Sequence, residues 1–340
     1  MGMIVPDFWA EGLAQARHKN RQVTVRRFGW SNTSQQEAQS MADARAQDAL
    51  TRILTGEKLR RRDWNVPYNG GDGVPIREEV VARHGEEVIT RNSYGALCLN
   101  TPRVLFADVD AYDDPQTVWW WQYLLLFAGT MFVAALLGRA FAASLGVAPG
   151  YAWLLGAMIG GVVVWLVSRM RHAAWSRRNA RDGGPKGRAR QRVEAFVAVH
   201  PDWGLRVYET PAGLRLLATH RLFDPLEPAV AEFFAAVGVD VVYADMCRNQ
   251  QCFRARLSAK PWRIDMGQQF KTRPAAWPAK LERQQERAAW LHHYDSQARS
   301  FAACRFERTL GQGVIDPSVM PVVHLHDDTS RALQSGLTLA

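Results

Sequence analysis

Val118–Gly138 reads VWWWQYLLLFAGTMFVAALLG and Val147–Val167 reads VAPGYAWLLGAMIGGVVVWLV, two runs of 21 residues without a charge. At 1.5 Å of rise per residue, either run as a helix matches a hydrocarbon core of about 30 Å. Trp119, Trp120, Trp121 and Tyr123 crowd one end of the first run. Tyr151 and Trp153 mark the start of the second, and Trp165 and Trp175 its far end. Amphipathic rings at such positions form the aromatic belt of a membrane span. Arg139–Gly146 is a short connection, so the two runs are expected to be antiparallel neighbours. Gly156, Gly160 and Gly161, with Ala128, Gly129, Ala134 and Ala135 opposite, suit close packing within that hairpin. A homo-oligomer contact is a second use of the same small-residue face.

The charge distribution orients the hairpin. The chain of 340 residues carries a net charge of +9. Nine Lys or Arg against one acid, Asp182, lie between Arg169 and Arg192, which leaves only +1 for the rest. A basic cluster directly after a span marks the cytoplasmic side, and only Arg139 is charged in the connection. Both flanking segments and both termini are therefore expected in the cytoplasm of a cell whose inner membrane the hairpin crosses twice. The same cluster suits anionic lipid headgroups, and without interleaved aromatic residues it does not read as a nucleic-acid footprint. Met1–Gln22 has no apolar core of a signal peptide, and position 2 lacks the myristoylation pattern. A mean hydropathy of −0.23 excludes a polytopic transporter. Four Cys, none in a C-x-x-C pair, exclude a disulfide scaffold and a zinc ribbon.

The flanking segments read as α+β. Val23–Phe28 (VTVRRF) alternates as a strand, and Ser34 with Glu37 forms a capping box before a helix over Gln35–Leu54. NGGDG (Asn69–Gly73) is a turn, REEVVARHGEEVITRN a hairpin, and GALCLN and RVLFADVDA further strands. On the far side, Arg190–His200 is expected to be helical. GLRVYET and GLRLLATH form a hairpin, Pro225–Val237 a helix, CFRARL a strand and Ala279–Gln297 a charged helix. Neither half has strands enough for a sheet. The predicted architecture is one mixed or antiparallel sheet domain, built from residues 1–112 and 193–300 and interrupted by a transmembrane hairpin at 118–167. A basic linker spans 169–192, and 311–340 is expected to be a poorly ordered tail.

Three stretches carry candidate chemistry. In LFADVDA, Asp108 and Asp110 stand two apart on a strand, which places both carboxylates on one face, within reach of one divalent cation. His220 ends the strand GLRLLATH. In CFRARLSAKPWRID, Arg254 and Arg256 share a face, Lys260 and Arg263 follow as phosphate ligands, and Asp265 is a third acid for a metal. His324 and His326 with Asp327 and Asp328 form a polar tract in the tail, and Cys247 and Cys252 are expected to be reduced thiols. No Walker loop, nucleophile elbow, H-E-x-x-H or dinucleotide fingerprint occurs.

Taken in order, Asp108 with Asp110, Ala218-Thr219-His220 and Ile264-Asp265 resemble the motifs of the archaeo-eukaryotic primase superfamily. YETPAGLRLL resembles the hairpin before that family's histidine motif. The resemblance implies Mg²⁺ or Mn²⁺ on Asp108, Asp110 and Asp265, with His220 at an incoming nucleotide. DGVPIREEVV, ITRNSYGALCLNTP and FRARLSAKPWRI also resemble blocks of bacterial two-span membrane proteins of uncharacterised activity, which bears on topology alone. Asp110 precedes Trp119 by nine residues, so even an extended chain keeps it within about 30 Å of the headgroups. Duplex nucleic acid would meet anionic lipid there, which argues against templated synthesis. Two functions remain: a membrane-anchored ligand- or partner-binding module, and a metal-dependent nucleotide-handling enzyme. A reporter enzyme fused after Ala340 is expected to be active in the cytoplasm, whereas periplasmic activity would overturn the topology.

Overall fold

The computed structural model describes residues 3–18, 21–63, 74–111, 120–145, 150–267, 275, 277–279 and 281–340. β1 (Phe8–His18) and β2 (Arg21–Ser31) pair antiparallel, from Phe8 opposite Ser31 to His18 opposite Arg21. Helix α1 (Gln35–Leu54) packs on this hairpin. It starts where expected, because the Ser34 hydroxyl accepts the Glu37 N–H at 3.2 Å. The capping box closes in one direction only: the Glu37 carboxylate accepts from the Ser31 hydroxyl at 2.7 Å instead of turning back to Ser34. The buried stripe of α1 is small, with Ala38, Ala42, Ala46 and Ala49 ahead of Leu50. Opposite it stand Gly12 and Gly29, where an added Cβ would run into the Ala42 and Ala38 carbonyls.

Two four-stranded antiparallel sheets follow, and each takes strands from both sides of the apolar helices. The first joins β3 (Glu79–His84), β4 (Glu87–Arg91), β5 (Leu97–Thr101) and β9 (Phe253–Arg256) in that order. The second runs β11 (Arg305–Gly311), β7 (Gly204–Thr210), β8 (Gly213–Ala218) and β6 (Phe106–Asp110). Thus β6 and β9 are edge strands of separate sheets. The Tyr243 hydroxyl on α6 (Val241–Gln250) links them, lying 3.0 Å from the Phe106 carbonyl and 2.9 Å from the Arg254 carbonyl. It also accepts the Arg254 N–H at 3.3 Å. A buried edge needs such partners for its backbone groups. Helix α5 (Pro228–Val237) adds Val230, Phe233, Phe234 and Val237 to a core shared with Leu99, Phe106, Leu216 and Phe253.

The chain divides into two compact units, Met1–Asp110 with Ala189–Ala340, and Ala111–Arg188. In the second, α2 (Trp120–Leu145) and α3 (Gly150–Arg181) pack on each other, with Gly160 against Phe127 and Thr130. Gln122–Ala140 in α2 is the one segment among the described residues long and apolar enough to cross a membrane. Of the expected second span, 147–149 lies outside the described residues, as do Trp119, NGGDG and the side chains of Trp120, Trp121, Tyr151 and Trp153.

Among the described residues the strands form two four-stranded and two two-stranded sheets rather than the one sheet expected, and three further expectations need correction. Helix α2 continues through Arg139 to Leu145, because the Ala-rich run after Gly138 favours helix. The basic stretch is helical: α3 carries it to Arg181, and α4 (Gly184–Val199) resumes after a break at Gly183 and Gly184, both with positive φ. Residues 311–340 are no loose tail. They form α8 (Met320–Ser330), which buries Val322, Val323 and His326, and β12 (Thr338–Leu339). Strand β12 pairs with β10 (Phe301–Ala302), which follows α7 (Gln284–Ala298).

Gly29→Leu is expected to destabilise the full chain by about 1–3 kcal/mol, because overpacking must push α1 off the hairpin. An unchanged melting temperature would contradict that close approach.

Candidate functional site

The carboxylates of LFADVDA and the basic groups of CFRARLSAK meet at one cavity of about 240 Å³. Asp108 and Asp110 reach it from β6, and Arg254 and Arg256 from β9. Alternation along each strand sets these pairs on one face. Lys260, Arg215 of β8, Tyr94 and Tyr243 complete much of the wall.

Most of these charges already have partners. Arg215 is fully buried, the largest such side chain among the described residues. Its Nε and Nη2 donate to the two Asp108 carboxylate oxygens at 2.8 and 3.2 Å, and Nη1 donates to the Arg256 carbonyl at 2.6 Å. Burial by itself would raise the Asp108 carboxyl, but the Arg215 guanidinium outweighs it and holds that carboxyl below the usual range. Behind Arg215, Nη1 lies 3.4 Å from His326 Nε2. His326 Nδ1 lies 2.9 Å from Asp327, which also accepts from the Tyr208 hydroxyl at 2.7 Å and Arg206 at 2.6 Å. Arg254 donates to both Glu78 oxygens at 2.8 and 2.6 Å and to Asn100 at 2.8 Å. The Thr90 hydroxyl adds a bond of 2.7 Å to Glu78. Asp240 accepts the Tyr243 N–H at 3.0 Å and so caps α6.

Two cations remain. The Arg256 side chain makes no hydrogen bond or ion pair among the described residues, and its buried Nε lacks an acceptor. Lys260 likewise has no carboxylate in ion-pair contact there, and its Nζ stands 5.3 Å from the centre of the Trp262 ring. Burial first, then the like charges of Arg256 and Arg263, push Lys260 down to about 8. The cavity can therefore hold an incoming anion against the Arg256 guanidinium and the Lys260 ammonium.

The other candidates fall elsewhere. Asp265 sits at positive φ after the helical turn Pro261–Arg263, and neither it nor Arg263 lines the cavity. His220 packs between Trp203 and Phe223, with ring centres 4.9 and 5.3 Å away, and its Nδ1 accepts the Gly204 N–H at 3.2 Å. It too lies outside the cavity lining. With Asp108 committed to Arg215, the expected metal triad is not assembled. Among the described residues no three His, Cys, Asp or Glu side chains are grouped to hold a metal ion. Arg254, expected on phosphate, is neutralised by Glu78. The tract around His324 is a helix that buries His326 and Asp327 and leaves His324 exposed. Cys247 and Cys252 are free thiols, as are Cys98 and Cys304.

Arg215 and Glu78 escaped the sequence reading, although a signal was present. An arginine inside the apolar strand GLRLLA is tolerated only with a buried anion, and Asp108 interrupts an equally apolar strand. No protein-family model, curated protein or solved structure matches the chain.

Glu78→Gln is expected to cost about 3–5 kcal/mol, because it leaves the Arg254 guanidinium buried without its anion. Millimolar Mn²⁺ is expected to leave the melting temperature of the unaltered protein unchanged. A rise that Asp108→Asn abolishes would restore the metal reading.

Proposed function

We propose that the protein is a membrane-anchored binding module whose antiparallel-sheet unit takes a small anionic ligand. The observation that carries this reading is the pair Arg256 and Lys260, two cations directed to one cavity with no carboxylate bound to either among the described residues. The ligand is held by charge-assisted hydrogen bonds from Arg256 and by the Lys260 ammonium. Turnover is not required of the site. A metal-dependent nucleotide enzyme of primase type needs Asp108, Asp110 and Asp265 to converge with His220 in the same cleft, whereas only Asp108 and Asp110 line the cavity.

The anchor in this proposal is a transmembrane hairpin of α2 and α3. Leu124, Leu125, Phe132, Val133, Leu136 and Leu137 of α2 are exposed, as are Leu154, Met158, Val162, Trp165 and Leu166 of α3. Two packed helices with so much apolar surface outward are in keeping with lipid as their solvent. The basic end of α3 then lies at the cytoplasmic face of the inner membrane, where Arg169, Arg171, Arg177 and Arg178 meet anionic headgroups.

Sulfate, whose charge is constant across the neutral range, tests the site by calorimetry on the full chain in uncharged detergent. Lys260 is a cation below about 8 and neutral above it. Sulfate affinity is therefore expected to fall several-fold as pH rises through that value, and Arg256→Gln is expected to abolish binding. Binding that ignores both the pH and Arg256 would refute the anion site.

A further inference from the structure

The mouth of the cavity carries a feature that a site for a freely diffusing anion does not need. Val242 lines the cavity yet is 53% exposed, and its neighbour Val241 is 72% exposed. Trp262 is 42% exposed, and its ring centre lies 5.2 Å from that of Tyr94, itself a wall residue. Lys260 runs beside the same indole, with Nζ 5.3 Å from its centre. An indole and two valines held in water forgo burial worth about 1.5–3 kcal/mol for each fully covered side chain. The valines follow Asp240 at the start of α6, where the helix cap holds them in place. Exposed apolar side chains, Val242 in the wall and Val241 and Trp262 next to wall residues, thus adjoin the cations of one small site that also holds Asp110.

We propose, on the basis of the anion-binding reading above, that the ligand is the phosphate headgroup of a membrane phospholipid. The phosphate sits on Arg256 and Lys260, and Trp262, Val241 and Val242 cover the glycerol and the first acyl carbons. Two observations favour this occupant over a soluble phosphate. Exposed apolar side chains beside two cations match an amphiphile with a charged head and an apolar tail. An indole beside a lysine is the combination that settles at a bilayer interface, with the ring among the glycerol groups and the ammonium at the phosphate.

The test uses the full chain in uncharged maltoside detergent and calorimetry with two probes, short-chain dihexanoyl phosphatidic acid and glycerol 3-phosphate. The lipid is expected to bind at least about tenfold more tightly, the equivalent of covering one apolar side chain. Trp262→Ser combined with Val241→Ser is expected to bring the lipid down to the affinity of glycerol 3-phosphate. Binding of sulfate, which has neither glycerol nor acyl chain, should stay as in the parent, which also shows that the variant is folded. Arg256→Gln should lose both ligands. Equal affinity for the two probes, or an unchanged lipid preference in the double variant, would overturn the lipid assignment and leave the anion site intact. Failure of both probes to bind the parent protein, or binding that survives Arg256→Gln, would overturn the anion site itself.

Discussion

A guanidinium sealed in the core is the constraint from which the rest of the domain follows. Arg215 has no access to solvent, so its donors must be met within the protein or the desolvation cost is uncompensated. Asp108 supplies the countercharge from β6, the Arg256 carbonyl an acceptor from β9, and His326 a third contact from α8. These elements lie far apart in the chain and belong to two different sheets. One side chain therefore sets where β6 and β9 come together, and Tyr243 satisfies the backbone groups left along that line. The C-terminal segment is held for the same reason: His326 faces Arg215 on one side and, through Asp327, reaches Tyr208 and Arg206 on the other.

The character of the cavity is what remains once these obligations are met. Asp108 is spent on Arg215, Arg254 on Glu78, and Asp240 on the cap of α6. Read by residue type alone, the wall mixes acids and bases and suggests a metal-and-phosphate centre. Read by partner, Arg256 and Lys260 have no carboxylate in contact among the described residues, although Asp110 also lines the wall. The Lys260 ammonium is lowered first by burial and then by Arg256 and Arg263, against the opposing pull of Asp110 and Asp108.

Local elements were legible in the sequence where a single physical rule dominates. Helix α1 has a serine cap and an apolar stripe, and its bounds match the expected Gln35–Leu54. The hairpin of β7 and β8 is announced by Thr210-Pro211-Ala212-Gly213, and the Thr210 hydroxyl accepts the Gly213 N–H at 3.0 Å. The shared face of Asp108 and Asp110 follows from alternation alone. What alternation does not reveal is the partner across the sheet. Asp108 and Arg215 are opposite each other in the β6–β8 register although 107 residues separate them in the chain. Residues 311–340 looked featureless because they have no strong period; what orders them is contact with elements elsewhere in the chain, as at Arg215 and β10. Asp265 and His220 matched short motifs, but a left-handed turn and an aromatic cluster decide their surroundings.

The central claim is that Asp108 and Arg215 act as one buried unit across the β6–β8 pair. A double-mutant cycle with Asp108→Asn and Arg215→Met, read as unfolding free energies by pulse proteolysis of the full chain in detergent, tests it most directly. Each single change should cost several kcal/mol, on the order of 3–5 for an orphaned buried charge. The double variant should cost well under their sum, with a coupling of about 2 kcal/mol or more. Costs that add to within about 0.5 kcal/mol would contradict the account, because the two side chains would then be acting independently.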